Sequence, residues 1–200
     1  MKITKPFEHI DTLDPDRELP CWFFEEVYIP DHDYETVNWE NMLGKNVLTN
    51  TENFSKRKIA FLHDNEDSII FKDISDILKK IILNIKENYP ARGLEASWPI
   101  DTWSEKELLQ ESIVQFDLKR DSKGFHMGVH LDNRNTKWTL IMNLQDHISS
   151  TVIHTNQGDY NIPTKKGSGI FYFNHEEMYH SIGPTEDEDR ITAFWMKMLS

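Results

Sequence analysis

His130 and Asp132, separated by Leu131, are the residues of this sequence best suited by type and spacing to do chemistry. In a β-strand, side chains two positions apart point to one face, so this pair projects together while Val129 and Leu131 point the other way. An imidazole nitrogen and a carboxylate oxygen are both ligands for a divalent first-row metal. A second histidine from a distant strand, His180, would complete a face of two imidazoles and one carboxylate, a set that grips a metal and leaves coordination positions open. The triplet alone is weak. Nine histidines and 34 acidic residues in 200 give roughly one or two His-x-Asp/Glu triplets by chance. The chain has three, beginning at His9, His130 and His175. The second stands apart by its apolar, strand-like flanks, by the later His180, and by Arg190 ten residues beyond that.

The elements that must position these side chains can be read from periodicity. From about residue 112 onward, short apolar runs alternate with turn residues. They predict eight strands, near 112–118, 126–131, 136–144, 151–155, 158–162, 168–174, 178–182 and 189–197. Such spacing implies an antiparallel sandwich or jelly roll. The first half reads differently. Ile74, Ile77, Leu78, Ile81, Ile82 and Ile85 recur at helical spacing, so a helix opening at Asp73 or Ser75 and ended by Pro90 and Gly93 presents one apolar stripe to a sheet. Ser104-Glu105-Lys106-Glu107 forms a capping-box pattern for a second, shorter helix running into Leu108 and Leu109. Asp33 caps a further short helix through about Leu43, stopped by Gly44. The runs 21–29 and 57–63 read as strands. The expectation is one domain, mainly β with N-terminal helices (α+β): residues 1–110 a helical and mixed buttress, residues 111–200 the β core.

Two hundred residues with 38% apolar content suffice for one core. A net charge of −12 argues against a protein that grips phosphate backbones, so nucleic acid is not the expected partner. A single cysteine, Cys21, excludes an intramolecular disulfide framework and fits a reducing compartment. Residues 1–9 have no apolar targeting stretch and no run has membrane-spanning length, so the expected location is cytoplasmic, away from membrane.

The order His130-x-Asp132, distant His180, then Arg190 resembles that of the iron(II)- and 2-oxoglutarate-dependent oxygenases, over roughly residues 110–197. The run Trp138 to Leu144 is similar to the strand that follows the first two ligands in prolyl-hydroxylase-like members. Gly167 to Phe173 resembles the turn and strand that lead towards the distal histidine. The resemblance implies a double-stranded β-helix (jelly roll) core, with His130, Asp132 and His180 holding Fe(II). It implies 2-oxoglutarate and dioxygen as co-substrates, with the C1 carboxylate and keto oxygen of 2-oxoglutarate in two of the open metal positions. It also implies oxidation, above all hydroxylation, of a small-molecule or peptide substrate such as a peptidyl proline, an amino acid or a sugar. Related halogenases lack the carboxylate, so Asp132 favours hydroxylation.

By the same resemblance Arg190 pairs with the far carboxylate of 2-oxoglutarate, and Thr192, on the same strand face, donates to it. The competing reading of Arg190 is a surface salt bridge to the acidic run Glu186 to Asp189. Asn143 lies on one face with Thr139 and Ile141 and is a candidate for the metal-bound end of 2-oxoglutarate; a strand asparagine tied to backbone is the alternative. Gln115 stands about where some members place a polar, often tyrosine, co-substrate contact. Phe125, Trp138 and Trp195 are candidates for a substrate pocket or for core, and Arg134 for a polar substrate contact. Two rival functions remain at this point. One is a cupin-type metal-dependent isomerase or lyase, although no His-x-His pair is present. The other is a non-catalytic metal-binding jelly roll.

Overall fold

The computed structural model describes residues 1–4, 21–42, 51–65, 67–88, 114–133, 135–155, 158–174, 178–186 and 189–198. The first and third His-x-acid triplets, the helix expected from Ser104, the stops at Gly44, Pro90 and Gly93, and Arg134 lie outside these residues.

Two antiparallel sheets make up the β structure. The larger runs, in spatial order, β1 (Lys2–Thr4), β2 (Cys21–Glu25), β10 (Gly169–Phe173), β7 (Thr136–Asn143), β12 (Arg190–Met198), β5 (Val114–Asp121), β4 (Arg57–Phe61) and β3 (Glu40–Asn41). The smaller runs β6 (Met127–His130), β11 (Tyr179–Ile182), β8 (Thr151–Thr155) and β9 (Gly158–Asn161). All eight strands expected after residue 112 are present. They are shared between the two sheets, so the chain crosses repeatedly from one layer to the other. The front half does more than buttress: four of its segments extend the larger sheet, β1 and β2 at one edge and β4 and β3 at the other.

Period-two alternation divides the larger sheet into two faces. Trp22, Phe24, Leu118, Trp138, Leu140 and Trp195 point to one side and pack with the stripe of helix α2 (Ile69–Asn88), which follows the one-turn helix α1 (Thr51–Phe54) in the chain. Burying each of those large side chains contributes about 1.5–3 kcal/mol, and seven residues of α2 are buried in this layer. Trp138 and Trp195 belong to this core, with ring centroids 5.4 Å apart, and not to a substrate pocket. On the opposite face Cys21, Ile141, Ile170, Tyr172 and Phe194 meet Ile153 of the smaller sheet and Met178. That inter-sheet layer holds the candidate functional side chains.

Helix α2 begins at Ile69, one turn before the expected Asp73, because Ile70 and Phe71 continue the buried stripe. Asp73 is therefore an in-helix residue. The helix expected over 33–43 is corrected to a 3-10 turn, Tyr34–Thr36, followed by strand β3. Asp33 does cap that turn, accepting from Glu35 N at 3.1 Å. Propagation stops because Trp39 Nε1 takes the Tyr34 carbonyl (2.8 Å) and the Asn38 amide goes to Asn65 Oδ1 (3.1 Å). Val37 then turns into the core. At Gly169 the strands press together: a Cβ there would lie 2.0 Å from the Ile141 carbonyl oxygen.

Candidate metal centre and anion pocket

Strands β6 and β11 are antiparallel neighbours in the smaller sheet, and their register sets His180 directly opposite His130. The two rings stand 4.2 Å apart, centroid to centroid. Asp132 lies just past the end of β6 and turns in beside them. One ligand atom from each of His130, Asp132 and His180 falls within 4.8 Å of the others. The structure thus gathers the His130 and Asp132 pair and the distant His180, although Asp132 lies beyond the strand.

Each imidazole is oriented by its own backbone. His130 Nδ1 meets Gly128 O at 2.8 Å, and His180 Nδ1 meets Met178 O at 3.2 Å. A carbonyl only accepts, so Nδ1 carries the proton in both rings and the Nε2 lone pair is left for a metal. Burial, foremost, holds the His180 pKa below its ordinary value and keeps that ring neutral. Asp132 is held just as firmly. Its Oδ2 accepts from Thr139 Oγ1 at 2.7 Å and from Tyr172 Oη at 2.6 Å. Oδ1 is left facing His180 Nε2 at 3.6 Å. Burial and the Asp132 charge push the Tyr172 phenol well above its usual range, so it remains a proton donor.

The same cavity, about 270 Å³, extends from these three residues to Arg190 and Thr192. Arg190 is 2% exposed. Among the described residues of the acidic run before it, Asp189 is taken by Arg120, Nε to Oδ2 at 2.5 Å. Arg190 Nη2 donates to Thr151 Oγ1 at 2.6 Å, and Nε and Nη1 are buried with no hydrogen-bond partner among the described residues. The carboxylate opposite it on β5, Asp121, is committed to Arg57, through Nε at 2.5 Å and Nη2 at 2.8 Å. Burial pushes the Arg190 guanidinium down to about 10. Buried donors without acceptors cost free energy unless a ligand supplies the acceptor. A planar fork with two idle N–H groups is shaped for a carboxylate.

Asn143 lies on the expected face, but its amide is committed elsewhere. Nδ2 donates to Pro163 O (2.7 Å) and Ser168 Oγ (3.2 Å), and Oδ1 receives His147 Nε2 at 2.8 Å. The backbone-tied alternative describes it, so Asn143 braces the loop behind the pocket instead of reaching into it. Phe125 packs on Phe54 and under the Arg57 guanidinium, 4.0 Å from its ring centroid. His126 is exposed, and His154 bridges Asp159 and Ser181. The side chain of Gln115 lies outside the described set. Tyr172, Thr139, Thr151 and Lys119 are the contributors that sequence reasoning did not single out. Inward strand positions occupied by polar side chains were the available signal. Met42, Phe54 and Arg57 from the front half also line the cavity. A larger groove, about 550 Å³ between α2 and residues 26–30, has no metal-ligand set among the described residues.

By fold the chain is similar to solved prolyl hydroxylases. The prolyl hydroxylase of Trichoplax adhaerens, solved with a hypoxia inducible factor oxygen degradation domain peptide fragment, superposes with a TM-score of 0.56 at 13% identity, over 82% of this chain and 72% of that one. A Pseudomonas putida prolyl-4-hydroxylase gives 0.50 at 10% identity, over 72% of each chain. The viral collagen prolyl hydroxylase of Paramecium bursaria Chlorella virus-1, in its 2OG complex, gives 0.50 at 14% identity, over 72% and 81%. At these identities the likeness is one of fold. Neither a family model nor a curated protein matches the sequence.

Proposed function

We propose that this protein is an Fe(II)- and 2-oxoglutarate-dependent dioxygenase, a hydroxylase on a double-stranded β-helix of jelly-roll type. The single observation that carries the reading is the buried Arg190 fork, idle at Nε and Nη1 among the described residues, in the same cavity as His130, Asp132 and His180. Two neutral imidazoles and one carboxylate suit Fe(II), leaving one unit of its charge uncompensated and positions open. His130, Asp132 and His180 hold the metal; Arg190 and Thr192 take the far carboxylate of 2-oxoglutarate. Bound together with dioxygen, these groups supply oxidative decarboxylation coupled to removal of a substrate hydrogen.

The chain's own residues do the rest. Gly128 and Met178 carbonyls fix the tautomers, so both Nε2 atoms are ready without a proton transfer. Thr139 and Tyr172 hold Asp132 with Oδ1 forward. Thr151 keeps the Arg190 fork aimed along the cavity. Met42 and Phe54 supply an apolar wall that excludes water from it. The substrate is a small molecule or peptide, a peptidyl proline being one option that the structural neighbours support. The alternation of β5 to β12 between two sheets supports the jelly-roll assignment.

Calorimetric titration of Mn(II)-loaded protein with 2-oxoglutarate tests the reading. Binding is expected, weakened at least tenfold in Arg190→Met. Folded, metal-loaded protein that binds no 2-oxoglutarate would refute it and favour metal chemistry of the cupin kind.

A further inference from the structure

Besides Arg190, and Arg57 with its bidentate bond to Asp121, a third cation lines the same cavity. Lys119, on β5, projects from the face that carries Asp117 and Asp121, away from Leu118 and the α2 layer. Its side chain is 14% exposed, and its ammonium lies 3.0 Å from the centroid of the Phe194 ring. Its ion-pair partner, Asp117 Oδ1, stands 3.7 Å away, too far for a hydrogen bond. Among the described residues the ammonium donates no hydrogen bond. An ammonium has three donors, and burying it without acceptors is costly; burial pushes this one down to about 8. Such a group is poised for an anion.

Register says which anion. Across β5 and β12, Asp121 faces Arg190, Lys119 faces Thr192 and Asp117 faces Phe194. Lys119 is thus one same-face step, about 7 Å along the strand, from the level of Arg190. That step leads toward Met196, whose β7 partner Thr139 holds Asp132. Lys119 is coupled electrostatically to Asp132 and His180, as well as to Asp121 and Arg57, the two charges that Arg190 also feels. By strand level Lys119 lies between Arg190 and Met196, on the side of the candidate metal ligands, and both cations line one cavity.

Resting on the 2-oxoglutarate reading, we propose that Lys119 grips the near carboxylate of the co-substrate, beside the keto group, while Arg190 takes the far one. The cavity then selects a 2-oxo diacid at both ends, with Lys119 determining affinity for the 2-oxo acid head independently of chain length.

Two probes separate the ends. 2-Oxoglutarate carries both carboxylates; 2-oxopentanoate keeps the keto group and near carboxylate but lacks the far one. Both are titrated calorimetrically, directly or in competition, into Mn(II)-loaded wild type, Lys119→Met, Lys119→Arg and Arg190→Met, with Mn(II) affinity and circular dichroism as folding controls. Lys119→Met is expected to weaken both probes at least tenfold, and Lys119→Arg to recover part of the loss. Arg190→Met is expected to weaken 2-oxoglutarate at least tenfold and leave 2-oxopentanoate within twofold. Wild-type affinity for 2-oxopentanoate in folded Lys119→Met overturns the proposal. If 2-oxoglutarate alone is weakened there, Lys119 serves the far carboxylate and the proposal also fails. Wild type that binds no 2-oxoglutarate overturns the parent reading itself, a result distinct from either.

Discussion

Replacing Tyr172 with phenylalanine removes one oxygen and keeps the ring that packs in the inter-sheet layer. That oxygen donates at 2.6 Å to Asp132 Oδ2, which also receives Thr139 Oγ1 at 2.7 Å. Hydrogen bonds to a charged acceptor contribute about 1.5–3 kcal/mol each. With Thr139 still in place the lower end applies, and about 1.5 kcal/mol corresponds to roughly tenfold in affinity. The mechanism is positional: a carboxylate tied by one bond rotates, and Oδ1 is no longer kept 3.6 Å from His180 Nε2. Tyr172→Phe should therefore bind Mn(II) about tenfold more weakly, and Tyr172→Phe with Thr139→Val up to about 100-fold, the range usual for groups that orient metal ligands. Calorimetric Mn(II) titration reads this directly, and a thermal melt of the metal-free protein, little changed, separates it from misfolding. Mn(II) affinity within twofold of wild type in both variants would refute the reasoning.

Three further outcomes follow from the packing. Arg57→Met strands Asp121, which is fully buried, and should lower urea-denaturation stability by about 3 kcal/mol; a loss below about 1 kcal/mol would show that Arg190 compensates the charge. Gly169→Ala drives a Cβ into the Ile141 carbonyl and should cost about 3 kcal/mol or more. Near-wild-type melting would mean that β7 and β10 separate easily. His147 has its pKa lowered to about 4, mainly by burial and next by the Arg190 charge. Its contribution to stability is complete above the ordinary imidazole value of about 6.5 and is lost as pH falls through 4. For a partly exposed ring this is at most about 2 kcal/mol, so the acid limb of wild type should be steeper than that of His147→Gln. Parallel limbs would contradict it.

The three proposed metal ligands were legible because their signal is local. Two-residue spacing put His130 and Asp132 on one face, and chain order supplied His180 and Arg190. The strands after residue 112 were legible for the same reason, since turn residues punctuate them regularly. What escaped were consequences of register between distant strands. Nothing near Tyr172 in sequence says that β10 brings it to Asp132, 40 residues away. Lys119 reads as one more charge in Asp117-Leu118-Lys119-Arg120-Asp121, and only pairing with β12 sets it against Thr192 and Phe194. The helix expected over 33–43 failed because propensity and a cap were judged without Asn65, which takes the Asn38 amide from another part of the chain. Asn143 shows the converse: its face was right, but His147, Pro163 and Ser168 hold its amide.

The most direct measurement is an anaerobic titration of wild type with Fe(II) and then 2-oxoglutarate, following the visible charge-transfer band of the chelated complex. The band is expected in wild type and absent in His130→Ala. Its absence from folded, iron-loaded wild type, or its persistence undiminished without His130, would contradict the assignment of His130, Asp132 and His180 as the metal centre of a 2-oxoglutarate oxygenase.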